Sequence, residues 1–426
     1  MRAEPITCYR PRPDLASVVA APPYDVFDRA GAAAYVAAHP QSFLAVDRPE
    51  TGFAPEHDMY ADDVYARAHD LLAARVNAGE LLRDGTPCFY LYRQRTADHE
   101  QTGIVAAFSV DDYTNGVIRR HELTRRDKED DRLRHIEATT CQTGPVFLAY
   151  RENPVLEALV EAAKTAEPLY DFRDEDRVRH TVWRVARPAA VESIRLMLEH
   201  VGCAYIVDGH HRAAAAARFC QRARTEEGAD HTGDEAYNFF LGALFPASQL
   251  ACAPYDRVVA DAAGLSEGEL VSALEAAGLS VGERRSEPVA PAERGRLGMY
   301  AFGAWRELSL PGERPDDVAA SLDAALLQEL VLGPVLGVCD PRDDARLSFV
   351  GGGDLAELER RAGEEGVAFS LFPTSVNELM AVADAGGLMP PKSTWFTPKL
   401  KSGLFVRRVC LRECLIDGAR PRRREE

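Results

Sequence analysis

In the stretch "AYIVDGHHRAAAAARF", residues 204–219, an apolar run ends on Asp208 and Gly209, and two histidines and an arginine precede a run of alanines. "AYIV" predicts a short buried strand, Asp208 and Gly209 a turn, and the alanines a strong helix. His210, His211 and Arg212 then fall in the first helical turn. That is the wrong end for cations, because the free N–H groups of a helix N-terminus already carry partial positive charge. An anion seated there reverses the cost, since N–H groups, two imidazoles and a guanidinium converge on one point and suit a phosphate. Gly209, without a Cβ, lets the backbone approach such a ligand. Asp208 at the strand end could cap the helix or hold a magnesium ion. The competing reading, a plain cap with surface histidines, leaves the three basic residues unexplained.

Other stretches carry candidate chemistry. In "IRRHELT", 118–124, His121, Glu122 and Thr124 follow the end of an apolar "GVI" after two arginines. The charge-dense stretch after it, through "KEDDRLRH" at 128–135, reads equally well as a solvated helix. "MPPKSTWFTPKLKSGL", 389–404, sets Lys392, Ser393, Thr394, Lys399 and Lys401 in a loop stiffened by prolines, which would suit a second wall of a pyrophosphate site. "APPYDV", 21–26, is a rigid turn whose Tyr24 and Asp25 either pack or touch substrate. "LFPTSVNEL" offers a helix cap with Glu378 placed for a capping box. "GGGD" at 351–354 is no P-loop, because no GK[ST] follows. A small inorganic phosphate donor would need no adenine pocket.

These residues need a scaffold, and 426 residues suffice for two or three domains with a large core. The chain is 46% hydrophobic and 27% charged, the balance of an ordinary globular protein. Its net charge of −17 repels nucleic acid and anionic membrane, so neither is expected as a partner, and a phosphate site must be a local basic focus. The sequence shows no apolar run of about 18 residues and no signal-peptide core, which predicts a cytoplasmic protein. Nine scattered cysteines without a CxxC pair read as reduced packing thiols, and Cys410 with Cys414 lacks the second pair a zinc site needs.

Helical periodicity marks residues 60–80, "NPVLEALVEAAKT", "AVESIRLMLEH", "SEGELVSALEAAG" and "PDDVAASLDAALLQELVLG". Strands are expected at "PCFYLYRQRT", "QTGIVAAFSVDDY", "GVIRRHEL", "HTVWRVA" and "DEAYNFFLGALFPASQ". The expected domains are 1–255, which holds the catalytic core, and 256–416, a C-terminal α/β domain, followed by a frayed tail at 417–426.

A strand, "DGHHR" and an alanine-rich helix together resemble the phosphate-binding element of the ParB/sulfiredoxin superfamily, and within it most closely the free L-serine kinases. The wider chain resembles a large bacterial and archaeal family catalogued as a domain of unknown function, whose hallmarks "APPYDV", "IRRHELT", "KEDDRLRH", "DGHHR" and "MPPKSTWFTPKLKSGL" occur here in order. The resemblance implies an α/β (α+β) fold and transfer of a phosphoryl group from pyrophosphate to free L-serine, giving O-phosphoserine and phosphate with magnesium as cofactor. A serine kinase using ATP or ADP, and a non-catalytic nucleotide-binding regulator on the same fold, are the alternatives. The oligomeric state stays open. Sulfiredoxins carry a cysteine where His210 stands, so sulfinic acid reduction is not expected; the acidic chain likewise lacks a recognition helix for a DNA clamp.

A kinase acting on an alcohol needs a carboxylate within reach of the hydroxyl. Free-serine kinases use a glutamate upstream of their DGHHR element, which makes Glu122 the candidate base, with Asp208 and His211 completing the catalytic set. Gly209, His210, His211, Arg212, Lys392, Ser393, Thr394 and Lys399 are the expected phosphate contacts. Tyr24, Asp25, His121 and Thr124 are the expected substrate contacts, and Asp208 the magnesium ligand.

Overall fold

The computed structural model of the protein describes residues 1–409, so the tail at 417–426 and the pair Cys410 and Cys414 lie outside the described residues. The chain forms two compact units. One comprises Met1–Arg119, Thr124–Gln249 and, of the described residues beyond, 398–409; the other comprises Arg120–Leu123 and Leu250–Thr397. This corrects the expected grouping of 256–416 as one domain. Residues 398–409 belong to the first unit because Val406 exchanges backbone hydrogen bonds with Tyr9 (2.8 and 2.9 Å) and Ser402 with Ala21 (3.1 and 2.9 Å). Arg407–Arg408 also pairs with Cys141–Gln142.

The first unit is built on a nine-stranded mixed sheet. In spatial order its strands are Ile118–Arg119, Ala204–Asp208, Val146–Tyr150, Phe239–Pro246, Glu100–Ser109, Phe89–Arg95, Arg179–Val185 and Tyr170–Arg173, with Ala3–Glu4 paired beside Glu100–Ser109. The central strands Val146–Tyr150 and Phe239–Pro246 are buried throughout, which is why they read as continuous apolar runs. Helices Pro154–Ala163, Pro188–Glu199 and His210–Glu227 contribute Leu156, Ile194, Leu198, Ala213 and Ala216 to the core around the sheet. Ala215, by contrast, packs with Leu133 and Ile136 of the helix Arg126–Thr139. The alanine run is therefore a helix buried on two sides, and small side chains permit the close approach.

The second unit holds a six-stranded antiparallel sheet in the order Ser280–Val281, Ala304–Ser309, Arg296–Ala301, Val367–Leu371, Tyr255–Val259, Leu347–Gly351. Helices Glu267–Ala276 and Val376–Asp384 both start on capping boxes, Ser266 with Glu269 and Ser375 with Glu378. A short ribbon pairs Ala251–Ala253 with Trp395–Thr397. Two expected elements are shorter than their sequence pattern. "VDDY" closes into a helical turn because the Ser109 hydroxyl accepts from the N–H groups of Asp111 and Asp112. The helix in "PDDVAASLDAALLQELVLG" begins only at Asp323, whose carboxylate accepts from the Gly295 N–H (2.8 Å) and from Arg314 (2.7 Å). The protein is thus a mixed α/β (α+β) structure. Among the described residues no helix is long and apolar enough to cross a membrane.

Candidate functional site

In the first unit the strand Ala204–Asp208 runs parallel to Ile118–Arg119 and antiparallel to Val146–Tyr150. Ile206 faces Leu148 and Asp208 faces Phe147, so Val207 is an extra residue and the strand bends at its end. Gly209 follows at φ +90°, where an added Cβ would lie 2.9 Å from Arg212 Nε. Both the left-handed backbone and the crowding require glycine. The helix His210–Glu227 starts here, and its N-cap position, Gly209, supplies no side-chain cap.

Asp208 Oδ1 accepts the Gly209 N–H at 2.8 Å, and Oδ2 pairs with Lys399 Nζ at 3.0 Å. Burial opposes ionisation of this carboxyl, but Lys399, Arg212 and His210 outweigh it and hold it well below the usual carboxylate range. Arg212 donates to the Pro145 carbonyl. Its Nε is buried without a hydrogen-bond partner among the described residues, and no carboxylate there pairs with it. Gly144 supports the guanidinium from behind, a Cβ there lying 3.4 Å from one terminal nitrogen. A partly buried guanidinium with an unpaired Nε and no direct ion pair among the described residues, at a helix N-terminus, is suited to an anion.

The other predicted residues of this unit divide. His210 is buried, and His211 Nε2 accepts the Arg125 N–H at 3.0 Å, which assigns the ring proton to Nδ1. Lys399, expected beside Lys392 to Thr394, instead stands with Asp208. The Thr124 hydroxyl is committed to Glu129, so Thr124 secures the start of the helix Arg126–Thr139 rather than standing ready for substrate. Tyr24 is buried with the Arg132 guanidinium 4.1 Å over its ring, and burial pushes its phenol up. Asp25, in the same turn, is exposed. Arg48, paired with Glu50, holds that turn through the carbonyls of Tyr24 (2.7 Å) and Phe27 (2.8 Å).

Sequence reasoning did not find a pocket in this unit, about 520 Å³ of space including its open mouth, whose lining includes Tyr24, Asp47, Arg132, Thr143, Arg212 and Ser402. Asp47 is almost fully buried, with its carboxylate accepting from the Thr143 hydroxyl at 2.6 Å and from the Ser402 hydroxyl. Arg132 donates to the Asp47 backbone carbonyl at 3.2 Å and pairs with Asp131 at 2.8 Å. One signal was present in the sequence: Asp47 is a charge ending the apolar run "FLAV".

In the second unit the His121 carbonyl accepts the Met389 N–H at 2.8 Å, which brings residues 120–123 to the start of the loop that carries Lys392, Ser393 and Thr394. Glu122 is half-buried. Arg257 lies under the loop and donates to the carbonyls of Lys392 (3.0 Å) and Pro391 (3.3 Å). It holds Lys392 at φ +57°, a backbone conformation costly for a lysine. The Ser393 hydroxyl donates to the Pro390 carbonyl at 2.8 Å, so it closes the turn and is not a spare phosphate donor. Burial pushes the neighbouring Asp256 carboxyl up to about 7 and Arg257 down to about 10.

The geometry thus defines an α+β protein whose first unit carries a strand–turn–helix with basic residues in the helix's first turn. Residues 3–325 match the family described as "Protein of unknown function (DUF1015)", and the chain belongs to that family. No curated protein matches the chain. Among solved structures the chain is similar to SbnI with a C-terminal truncation from Staphylococcus aureus, at 14% identity and a TM-score of 0.37 over 71% of this chain and 87% of that one. It is also similar to a free serine kinase in complex with AMP, at 15% identity and a TM-score of 0.34 over 70% and 91% of the two chains. A conserved hypothetical protein from Pyrococcus furiosus matches at 14% identity and a TM-score of 0.34 over 71% and 95%.

Proposed function

We propose that the protein is a phosphotransferase that moves a phosphoryl group from pyrophosphate to the hydroxyl of free L-serine. The observation that carries this reading is Arg212: a guanidinium with an unpaired Nε and no ion-pair partner among the described residues, at the left-handed Gly209 turn, in a chain of net charge −17. Phosphoryl transfer asks a protein mainly for positioning and for positive charge around the moving group. Arg212, His210 and the N-terminus of the helix would supply both to one phosphate, with Lys399 alongside. The Nδ1–H of His211 would donate to a second phosphate oxygen. Asp208 would take magnesium only together with the donor's phosphates, because Lys399 already neutralises its carboxylate. Glu122 is the proposed base for the serine hydroxyl, on residue type and on the resemblance to free-serine kinases. Lys392 and Thr394 are proposed phosphate contacts on the same ground.

A donor screen tests the proposal. The full chain is incubated with serine, magnesium and pyrophosphate, ADP or ATP in turn, and O-phosphoserine is measured. Product with pyrophosphate, unaffected by adenosine or AMP, is the expected result. Product with ADP or ATP alone, competed by adenosine, would make it a nucleotide-dependent kinase. Nucleotide binding with no product from any donor would make it a regulator.

A further inference from the structure

We infer that the pocket of the first unit seats the ammonium group of the acceptor amino acid, with Asp47 as its counter-charge. The inference rests on the phosphotransferase reading for the acceptor's identity, but its geometry is independent of that reading. Asp47 is 3% exposed and lines the pocket. Among the described residues no Lys, Arg or His nitrogen forms an ion pair with its carboxylate. Arg132, the neighbouring cation, gives its fork to Asp131 and donates to the backbone carbonyl of Asp47, so its charge acts on the Asp47 carboxylate without a direct ion pair. A buried carboxylate without a cation is costly, and a bound cation offsets that cost.

The two hydroxyls say which kind of cation fits. Thr143 and Ser402 each spend their single proton on Asp47, so only their lone pairs are left to face a ligand. Immediately around Asp47 the lining therefore offers three acceptors, one carboxylate and two hydroxyl oxygens, while the donors of Arg132 and Arg212 line the same pocket. A primary ammonium has three N–H groups to match. A bare magnesium ion, which demands near-octahedral oxygen coordination and keeps several waters, fits a pocket that also includes Ile136, Val146 and Phe240 poorly. The position of Ser402 is itself built in: its backbone pairs with Ala21, and Gly403 next to it sits at φ +78°, where a Cβ would strike Phe43 at 2.4 Å. Arg212 lines the same pocket, so a ligand held by Asp47 lies against the guanidinium proposed to hold the transferred phosphate.

Calorimetric titration of the full chain with L-serine and with 3-hydroxypropionate, without donor, tests this. The second compound keeps the carboxylate and hydroxyl and lacks the ammonium. The parent protein should prefer serine by about 10-fold or more, the factor expected for one charge-assisted contact. Asp47→Asn should weaken serine by about 10–100-fold and erase the preference, with pyrophosphate affinity unchanged. Ser402→Ala, a milder change, should reduce serine affinity several-fold and covers the case in which Asp47→Asn melts early. Equal affinity of the parent for the two compounds, or an intact preference in Asp47→Asn, overturns the inference. Amino-acid binding that depends on Asp47 without phosphoryl transfer from any donor leaves the inference standing and removes the kinase.

Discussion

Replacing Arg212 by alanine removes two things at once, and the structure separates them. The first is the charge facing the proposed phosphate. A hydrogen bond to a charged group contributes about 1.5–3 kcal/mol, so donor affinity or turnover should fall by about 10–150-fold. The second is the donor to the Pro145 carbonyl, which ties the helix start to the loop before Val146–Tyr150. A buried carbonyl left without a partner costs about 1–3 kcal/mol, so the melting temperature should fall by several degrees. The sequence alone predicts no such loss of stability. Arg212→Lys keeps the charge but not the fork, and should recover part of the binding and little of the stability. Pyrophosphate affinity by calorimetry and Tm by scanning calorimetry give the two readouts. An alanine variant that melts early but binds pyrophosphate within threefold of the parent and turns over at the parental rate would show Arg212 to be a structural tie only, and the cradle would be abandoned.

Glu122→Gln keeps shape and removes the charge; turnover should fall by ~10²–10⁴-fold with pyrophosphate binding near normal, and turnover within a factor of three of the parent would remove Glu122 from the mechanism. Burial holds the Asp256 carboxyl up at about 7 in the fold against 3.8 for the free group. The folded chain therefore keeps a proton that the unfolded chain has released. This contribution to stability is present at low pH and is lost as pH rises from about 4 to 7. Asp256→Asn should flatten that decline in Tm, and identical pH profiles for the two proteins would refute the burial argument. Lys401 pairs with Asp174 at 2.7 Å, and Asp174 in turn meets His180 at 3.0 Å. Lys401→Met strands that carboxylate against a buried histidine and should cost about 3–5 kcal/mol by denaturant unfolding; a loss under 1 kcal/mol would show that the buried network is not needed.

Local sequence was a good guide wherever a feature is made by neighbours along the chain. "AYIVDGHHRAAAAARF" is a strand, a left-handed glycine and a helix, as its propensities demand, and the capping box at Ser375 and Glu378 closes as its spacing requires. Those features depend on backbone sterics and hydrogen bonds within a few residues, so they are written in order. The loop motif was legible as a run of residue types but not as a unit. Its Lys392 to Thr394 part and its Lys399 to Ser402 part pack into different units, because Pro398 and the residues after it find their backbone partners on the first unit while Trp395–Thr397 pairs with Ala251–Ala253.

The Asp47 pocket lay beyond local reading altogether. Asp47, Arg132, Thr143 and Ser402 are separated by up to 355 positions, and each alone is an ordinary polar residue. What makes them a site is burial: once the sheet and the helix Arg126–Thr139 remove them from water, each must find partners inside the protein. Composition determined that any phosphate site has to be a local exception in an acidic chain, and the DGHHR stretch supplied the proposed start of one. Which carboxylate would be left buried without a direct ion pair depended on desolvation and on contacts between distant segments, and these exist only after the chain has folded.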